Sequence, residues 1–333
     1  MQVIFFQKFP HFDVNLYIYC MKKPLKKAIK KATKKVARKV VKNPKKKKPT
    51  GVELKKSLLH FSLTQQNAIR QGTAVRMQLQ KTVDEALERE DANTYVYSLP
   101  GFGKTFTVID GLFKRRMEHH IISGNTSMFA FCLRLAVIDS DTPKGEKITI
   151  VVDDCDEILK NEANINIIKS ILEKPKMLHY EKSMAGQRSA LNQKQINSID
   201  EHANPNGLGF LVDCSNMKFI FTSNKKLPTK LDVEKKPSAL NNHLHAIRSR
   251  CFTEDFNHSW EVMWGWLVDI VLTKNVENVN KLTPEQKLVM LDWMFTNWRN
   301  MKEASIRTCS KMALTMLASP KDFKTSWELS YLN

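Results

Sequence analysis

The sequence predicts an α/β fold: a parallel sheet sandwiched by helices, followed by a small all-α lid domain and preceded by a basic, disordered segment. Three observations lead there. Short apolar runs alternate with helical stretches between residues 62 and 222, the pattern of a parallel sheet whose strands are joined by helices on both faces. The strand-like runs stop after Phe252, and three helical stretches follow at 260–272, 283–298 and 305–317. From Lys22 to Lys48 there are fifteen Lys or Arg and no acid, so the segment repels itself and buries little. The expected divisions are 1–60, 61–252 and 253–333.

The elements are expected in this order. Thr64 caps a helix running to about Glu90. Residues 94–99 (TYVYSL) form a strand, and a helix runs from Lys104 to about Met117. A short strand covers 119–123, and Thr126 caps a helix over 127–138. Residues 147–153 (KITIVVD) form a strongly apolar strand, and 161–173 a helix. Residues 177–181 and 209–212 form short strands flanking a polar stretch, and 218–222 (KFIFT) another apolar strand. Five of the six tryptophans lie in the first two C-terminal helices, at a spacing that suits core packing.

Bulk properties set the remaining bounds. The chain has 333 residues, 42% of them hydrophobic, and a net charge of +19. The charge is concentrated in residues 22–48. There Leu25, Ile29, Ala32, Val36 and Val40 recur every three or four positions, so the segment can form a basic amphipathic helix on a polyanion. Contact with nucleic-acid phosphates is the first expectation for it. A nuclear-import signal, a membrane-surface patch and a solubilising tail are the alternatives. Six cysteines are scattered without a C-x-x-C pair or zinc-ligand spacing, as expected of free thiols in a reducing compartment. No apolar run reaches the roughly 18–20 residues needed to span a bilayer. In residues 1–20 the positive charges follow the apolar run instead of preceding it, which does not suit a signal peptide; Met21 is an alternative start. A cytoplasmic location is expected, with the nucleus as the alternative.

The chemistry begins at Tyr95–Thr105, Y-V-Y-S-L-P-G-F-G-K-T. A strand delivers the chain to a tight loop in which Gly101 and Gly103 leave backbone N–H groups free to wrap phosphate. The loop residues Ser98, Leu99, Pro100, Gly101, Phe102, Gly103, Lys104, Thr105 and Phe106 are the expected nucleotide contacts. Lys104 reaches the β- and γ-phosphates, Thr105 ligates magnesium, and the following helix turns its positive end to the phosphates. The pattern departs from G-x-x-x-x-G-K-[ST] in having Ser98 at its first position.

A second element, K-I-T-I-V-V-D-D, ends a buried strand on two acids at the edge where ligands of such sheets bind. Asp153 is the expected magnesium partner and Asp154 the group that polarises the attacking water, with Asp156 and Glu157 as alternatives. A third, K-F-I-F-T-S-N, ends at Asn224, placed to orient that water and sense the γ-phosphate. A fourth, A-I-R-S-R-C-F, offers Arg250 and Arg248, either of which would cross a subunit boundary to stabilise the transferring phosphoryl group. Arg307, in S-I-R-T, is expected to reach the same nucleotide from the C-terminal helices.

In this order of motifs the sequence resembles the AAA+ P-loop ATPases, over about residues 60–320. D-D-C-D, F-T-S-N and S-R-C look like bacteriophage replication-type members, and S-R-C is also similar to sliding-clamp loaders. The resemblance implies ATP and magnesium as ligands and a ring-shaped homo-oligomer acting on single- or double-stranded DNA, with other replication proteins as possible partners. It carries the roles above onto Lys104, Thr105, Asp153, Asp154, Asn224, Arg250 and Arg307. Two departures stand out: Asp where most relatives have Glu at 154, and a long segment between the acidic strand and Asn224. In that segment 177–181 and 209–212 are expected to pair as a hairpin. Its extended tip, basic through Lys182, Arg188 and Lys194, would be similar to the DNA-engaging hairpin of superfamily 3 helicases. The function implied is a DNA-dependent ATPase of viral replication or recombination, helicase-like in a ring. A clamp-loader-like ATPase, a remodelling or DNA-packaging ATPase, and a nucleotide switch with little hydrolysis are the alternatives.

Overall fold

The computed structural model describes residues 58–184, 186–205 and 207–332. The expectations for residues 1–57, including the basic segment, lie outside these.

Helix α1 (Leu63–Glu88) opens the described chain. Its start is fixed by a reciprocal cap: the Ser62 hydroxyl accepts from the Gln65 N–H, and the Gln65 side chain accepts from the Ser62 N–H. Thr64, the expected cap, lies inside the helix. There follow β1 (Thr94–Tyr97), α2 (Lys104–Arg115), β2 (His119–Ser123), α3 (Met128–Asp141), β3 (Ile148–Asp153) and α4 (Glu162–Leu172). Ser127 and Asn161 cap α3 and α4 through their side chains, and Arg116, in the left-handed region, ends α2. After β4 (Met177–Tyr180), α5 (Gln193–Glu201) and β5 (Phe210–Asp213) come β6 (Met217–Ser223), α6 (Lys230–Lys235), α7 (Ala239–Arg250) and β7 (Phe252–Asp255).

Five strands form one sheet in the order β2-β3-β6-β1-β7, every neighbouring pair parallel. Residues alternate between the faces. Val96, Val151 and Ile220 join a core with α1, α2 and the C-terminal helices. Tyr95, Ile150, Val152, Phe219 and Phe221 join a second core with α3, α4 and α7. All seven residues of β6 are buried, as suits the middle strand of a sheet covered on both sides.

Two expectations change. The strands do not stop at Phe252: β7 crosses the boundary expected at 252/253 and runs to Asp255. Its sequence, Phe-Thr-Glu-Asp, is too short and polar to read as a strand; its place comes from pairing with β1 along one edge. And although β4 and β5 do pair as an antiparallel hairpin, the segment between them is not an extended tip. Helix α5 packs on α3, tied by Lys194 to Asp141 and by His202 to Asp139 at 2.8 Å. Arg188 pairs with Asp200, so two of the three basic residues expected to arm the tip are engaged inside the chain.

The C-terminal region is helical as expected: α8 (Trp260–Thr273), α9 (Pro284–Asn297), α10 (Ile306–Ala318) and, unforeseen, α11 (Phe323–Tyr331). Its first helix crosses α1 with backbones in contact. A Cβ at Gly72 would lie 2.1 Å from the Trp266 nitrogen, and one at Gly265 would lie 2.0 Å from the Ala68 oxygen. Only glycine permits that approach. No helix among the described residues is long and apolar enough to cross a membrane.

Candidate functional site

Strands β1 and β6 end in register, Tyr97 beside Ser223, so the loops that follow them leave the carboxyl edge of the sheet together. The Ser98 side chain is buried, and its N–H points to the Ser223 carbonyl. The chain then turns through Gly101 (φ +76°) and Gly103 (φ +83°), the latter capping α2 without a side-chain hydrogen bond. The first N–H groups of α2 are therefore not taken by a capping side chain. Leu99, Pro100 and Phe106 are exposed on the loop and the first turn of α2. Phe102 points the other way: it is 1% exposed and meets Trp266 edge-on, ring centroids 5.5 Å apart. What Phe102 can offer a ligand is its backbone N–H.

Lys104 is buried, and its ammonium donates to the Ser98 carbonyl (2.9 Å), the Leu99 carbonyl (3.2 Å) and Asn224 Oδ1 (2.8 Å). The other end of the same amide, Asn224 Nδ2, donates to Asp154 Oδ1 at 2.9 Å. Beside this chain Thr105 Oγ1 donates to Asp153 Oδ1, which also accepts from Thr222 Oγ1. Thus Lys104, Thr105, Asp153, Asp154 and Asn224, drawn from three separate stretches of sequence, meet in one place. Desolvation is the main cause of a lowered Lys104 pKa, opposed by Asp154, Asp153 and Asp156. Desolvation also leads in raising the Asp154 pKa, reinforced by Asp153 and opposed by Lys104.

Asp154 has φ +51°. A short polar side chain tolerates the left-handed region better than a longer one, which gives a local reason for Asp rather than Glu at this position. Asp156 accepts from the Ser223 hydroxyl, while Glu157 pairs with Lys160 one turn on; neither touches the Lys104–Asn224–Asp154 chain.

The arginines divide. Arg307, in the first turn of α10, bears electrostatically on both Lys104 and Asp154 and makes no hydrogen bond or ion pair to a described residue. Arg250 precedes β7, whose first residue pairs with the first residue of β1, so it sits at the opposite, amino edge of the sheet. There its Nε donates to Glu173 at 2.8 Å and its Nη1 to the Ala246 carbonyl. Arg248 donates to the Leu227 carbonyl at 3.3 Å.

Two features were not anticipated. Thr222 shares Asp153 with Thr105; it stands two residues after Ile220 on the same strand face, so strict alternation along β6 would have pointed to it. The start of α10 closes on the backbone of the loop between β1 and α2: the Ile306 N–H donates to the Gly101 carbonyl at 3.1 Å, and a Cβ on Gly101 would lie 2.5 Å from the Ser305 Cβ. No local sequence signal indicates that contact.

Among the described residues no group of three or more His, Cys, Asp or Glu could hold a metal by itself. The hard oxygens of Thr105 and Asp153 do suit a magnesium ion that takes its remaining ligands from phosphate and water. A separate cleft of about 670 Å³ opens between the start of α3 and the start of α4, lined by Asn125, Ser127, Lys160, Asn164, Tyr180 and Lys182 among others. Comparison with known proteins adds no relative: no family model matches this chain, and no curated protein resembles it significantly.

Proposed function

We propose that the chain is an ATP-hydrolysing enzyme of the AAA+ type, acting on DNA in phage replication or recombination as a helicase-like ring. The observation that carries this reading is the side-chain chain Lys104–Asn224–Asp154 beside the pair Thr105–Asp153, at the carboxyl edge of a parallel sheet and against a glycine loop that opens a helix.

In the proposed reaction Lys104 exchanges its carbonyl and Asn224 partners for β- and γ-phosphate oxygens. Thr105 and Asp153 would hold magnesium, which would supply charge neutralisation on those phosphates. Asn224, released from Lys104, faces the γ-phosphate and orients water. Asp154 takes a proton as the water oxygen bonds to the γ-phosphorus and the bridging bond breaks, giving ADP and inorganic phosphate. Its raised pKa suits a proton acceptor. Arg307 adds positive charge from the same chain, and Arg250 from a neighbouring copy. The DNA assignment draws on the fifteen basic residues of 22–48 and on the cleft carrying Lys160 and Lys182.

One observation favours a clamp-loader-like alternative. With Arg188 and Lys194 paired inside the chain, Lys182 alone of the three basic residues is left to push along a strand. Hydrolysis measured with single-stranded DNA, double-stranded DNA and none, together with particle size in ATP, tests the proposal. Turnover stimulated by DNA in a ring-sized particle is expected. Tight ATP binding without turnover in any condition would overturn it in favour of a switch, and stimulation without strand separation would favour the clamp-loader reading.

A further inference from the structure

We infer that Glu173 is the resting partner of Arg250 and controls how readily that arginine is delivered to the γ-phosphate of a neighbouring copy. The inference rests on the trans-arginine reading above and adds a residue to it.

Glu173 follows directly on the last residue of α4, at the negative end of the helix dipole, where a carboxylate is disfavoured. An acid there needs a compensating cation. Arg250 provides it from the last turn of α7, which packs alongside α4. Nε and Nη2 of Arg250 both donate to Glu173 Oε2, while Nη1 donates back to the carbonyl of Ala246, one turn earlier. The guanidinium is thus folded onto its own subunit. It lines a cleft of about 500 Å³ at the amino edge, beside Phe252 and the Arg89 that stacks over that ring at 4.2 Å.

The pair is nevertheless easy to exchange. The Glu173 side chain is 60% exposed, and solvent-exposed ion pairs contribute little to stability. A phosphate oxygen bearing more charge can displace Glu173 without leaving a buried ion behind. Glu173 is therefore a positioning residue: it touches no substrate and acts only through Arg250.

The test is ATP turnover as a function of protein concentration for the full chain and for Glu173→Gln, Glu173→Asp, Arg250→Ala and the double variant Glu173→Gln/Arg250→Ala, with thermal melts to verify folding. Glu173→Gln is expected to raise turnover about two- to fivefold at subsaturating protein, the range an exposed ion pair is worth, with KM for ATP unchanged. Glu173→Asp should fall between it and the parent chain. In the Arg250→Ala background the gain should vanish. A Glu173→Gln variant with unaltered or reduced turnover, or a gain that persists without Arg250, overturns the role of Glu173 while leaving the ATPase reading intact. If Arg250→Ala turns over like the parent chain, the trans-arginine reading falls and this inference with it. A parent chain without turnover at any concentration sinks the ATPase reading itself.

Discussion

The two ends of the same strands are built on opposite rules. At the carboxyl edge polar side chains bond mainly to one another: Lys104 to Asn224, Asn224 to Asp154, Thr105 and Thr222 to Asp153. At the amino edge the buried side chains Asn93 and Lys176 bond to backbone. Asn93 donates to the Leu172 carbonyl and accepts from the Phe219 N–H, and Lys176 donates to the Met217 carbonyl. Side chains that hold side chains can be re-partnered when a ligand arrives. Asn93 and Lys176, which tie one element's main chain to another's, fix the strands and helices instead. The contrast separates a network that a ligand can re-partner from the buried anchors of the amino edge.

The largest effect that would break the contrast is at Lys104. Lys104→Ala should lower ATP turnover by about two orders of magnitude or more and leave the melting temperature within a few degrees of the parent. Near-normal hydrolysis would end the phosphate-loop assignment. Asp154→Asn should reduce turnover at least about tenfold while ATP binding, followed by calorimetry, persists. In the parent chain activity should fall with decreasing pH as Asp154 protonates, its midpoint displaced upward from the usual aspartate value by burial.

Asn93→Ala should do the reverse, costing about 3 kcal/mol in urea denaturation, since it orphans a buried N–H and removes a donor from a carbonyl, with turnover per folded molecule unchanged. The smallest effect sharpens the comparison. Lys218, buried at the amino edge with its ammonium unpartnered, has its pKa pushed down by burial from 10.5 to about 8. Below pH 8 both folded and unfolded chains carry the proton, and the full penalty applies. Between about 8 and 10.5 the unfolded chain binds more protons, so stability rises with pH. Lys218→Met should flatten that rise; an unchanged slope would mean that another group causes it.

The central strands are readable because burial on both faces leaves apolar stretches such as residues 150–152, and the glycine loop at 98–103 and the acids at 153 and 154 are readable because their spacing is local. Residues 193–201, 230–235 and 239–250 do not read as helices, because their apolar content is low and polar caps such as Asn192, Thr229 and Ser238 set their starts. Phe102 was grouped with the nucleotide contacts because sequence marks a loop without saying which way a side chain turns. Its burial against Trp266 depends on a helix about 160 residues away. The same holds for Ser305 against Gly101.

The glycine crossing of α1 and α8 has a mechanical consequence. Helices separated by long side chains can slide, because those side chains re-pack; helices whose main chains touch have no such bearing surface between them. A tilt of α8 must therefore be followed by α1. Since Phe102 lodges against Trp266, one residue beyond Gly265, strain arising in the loop between β1 and α2 is handed to a rigid two-helix lever. The amino-terminal arm of that lever begins at Leu63.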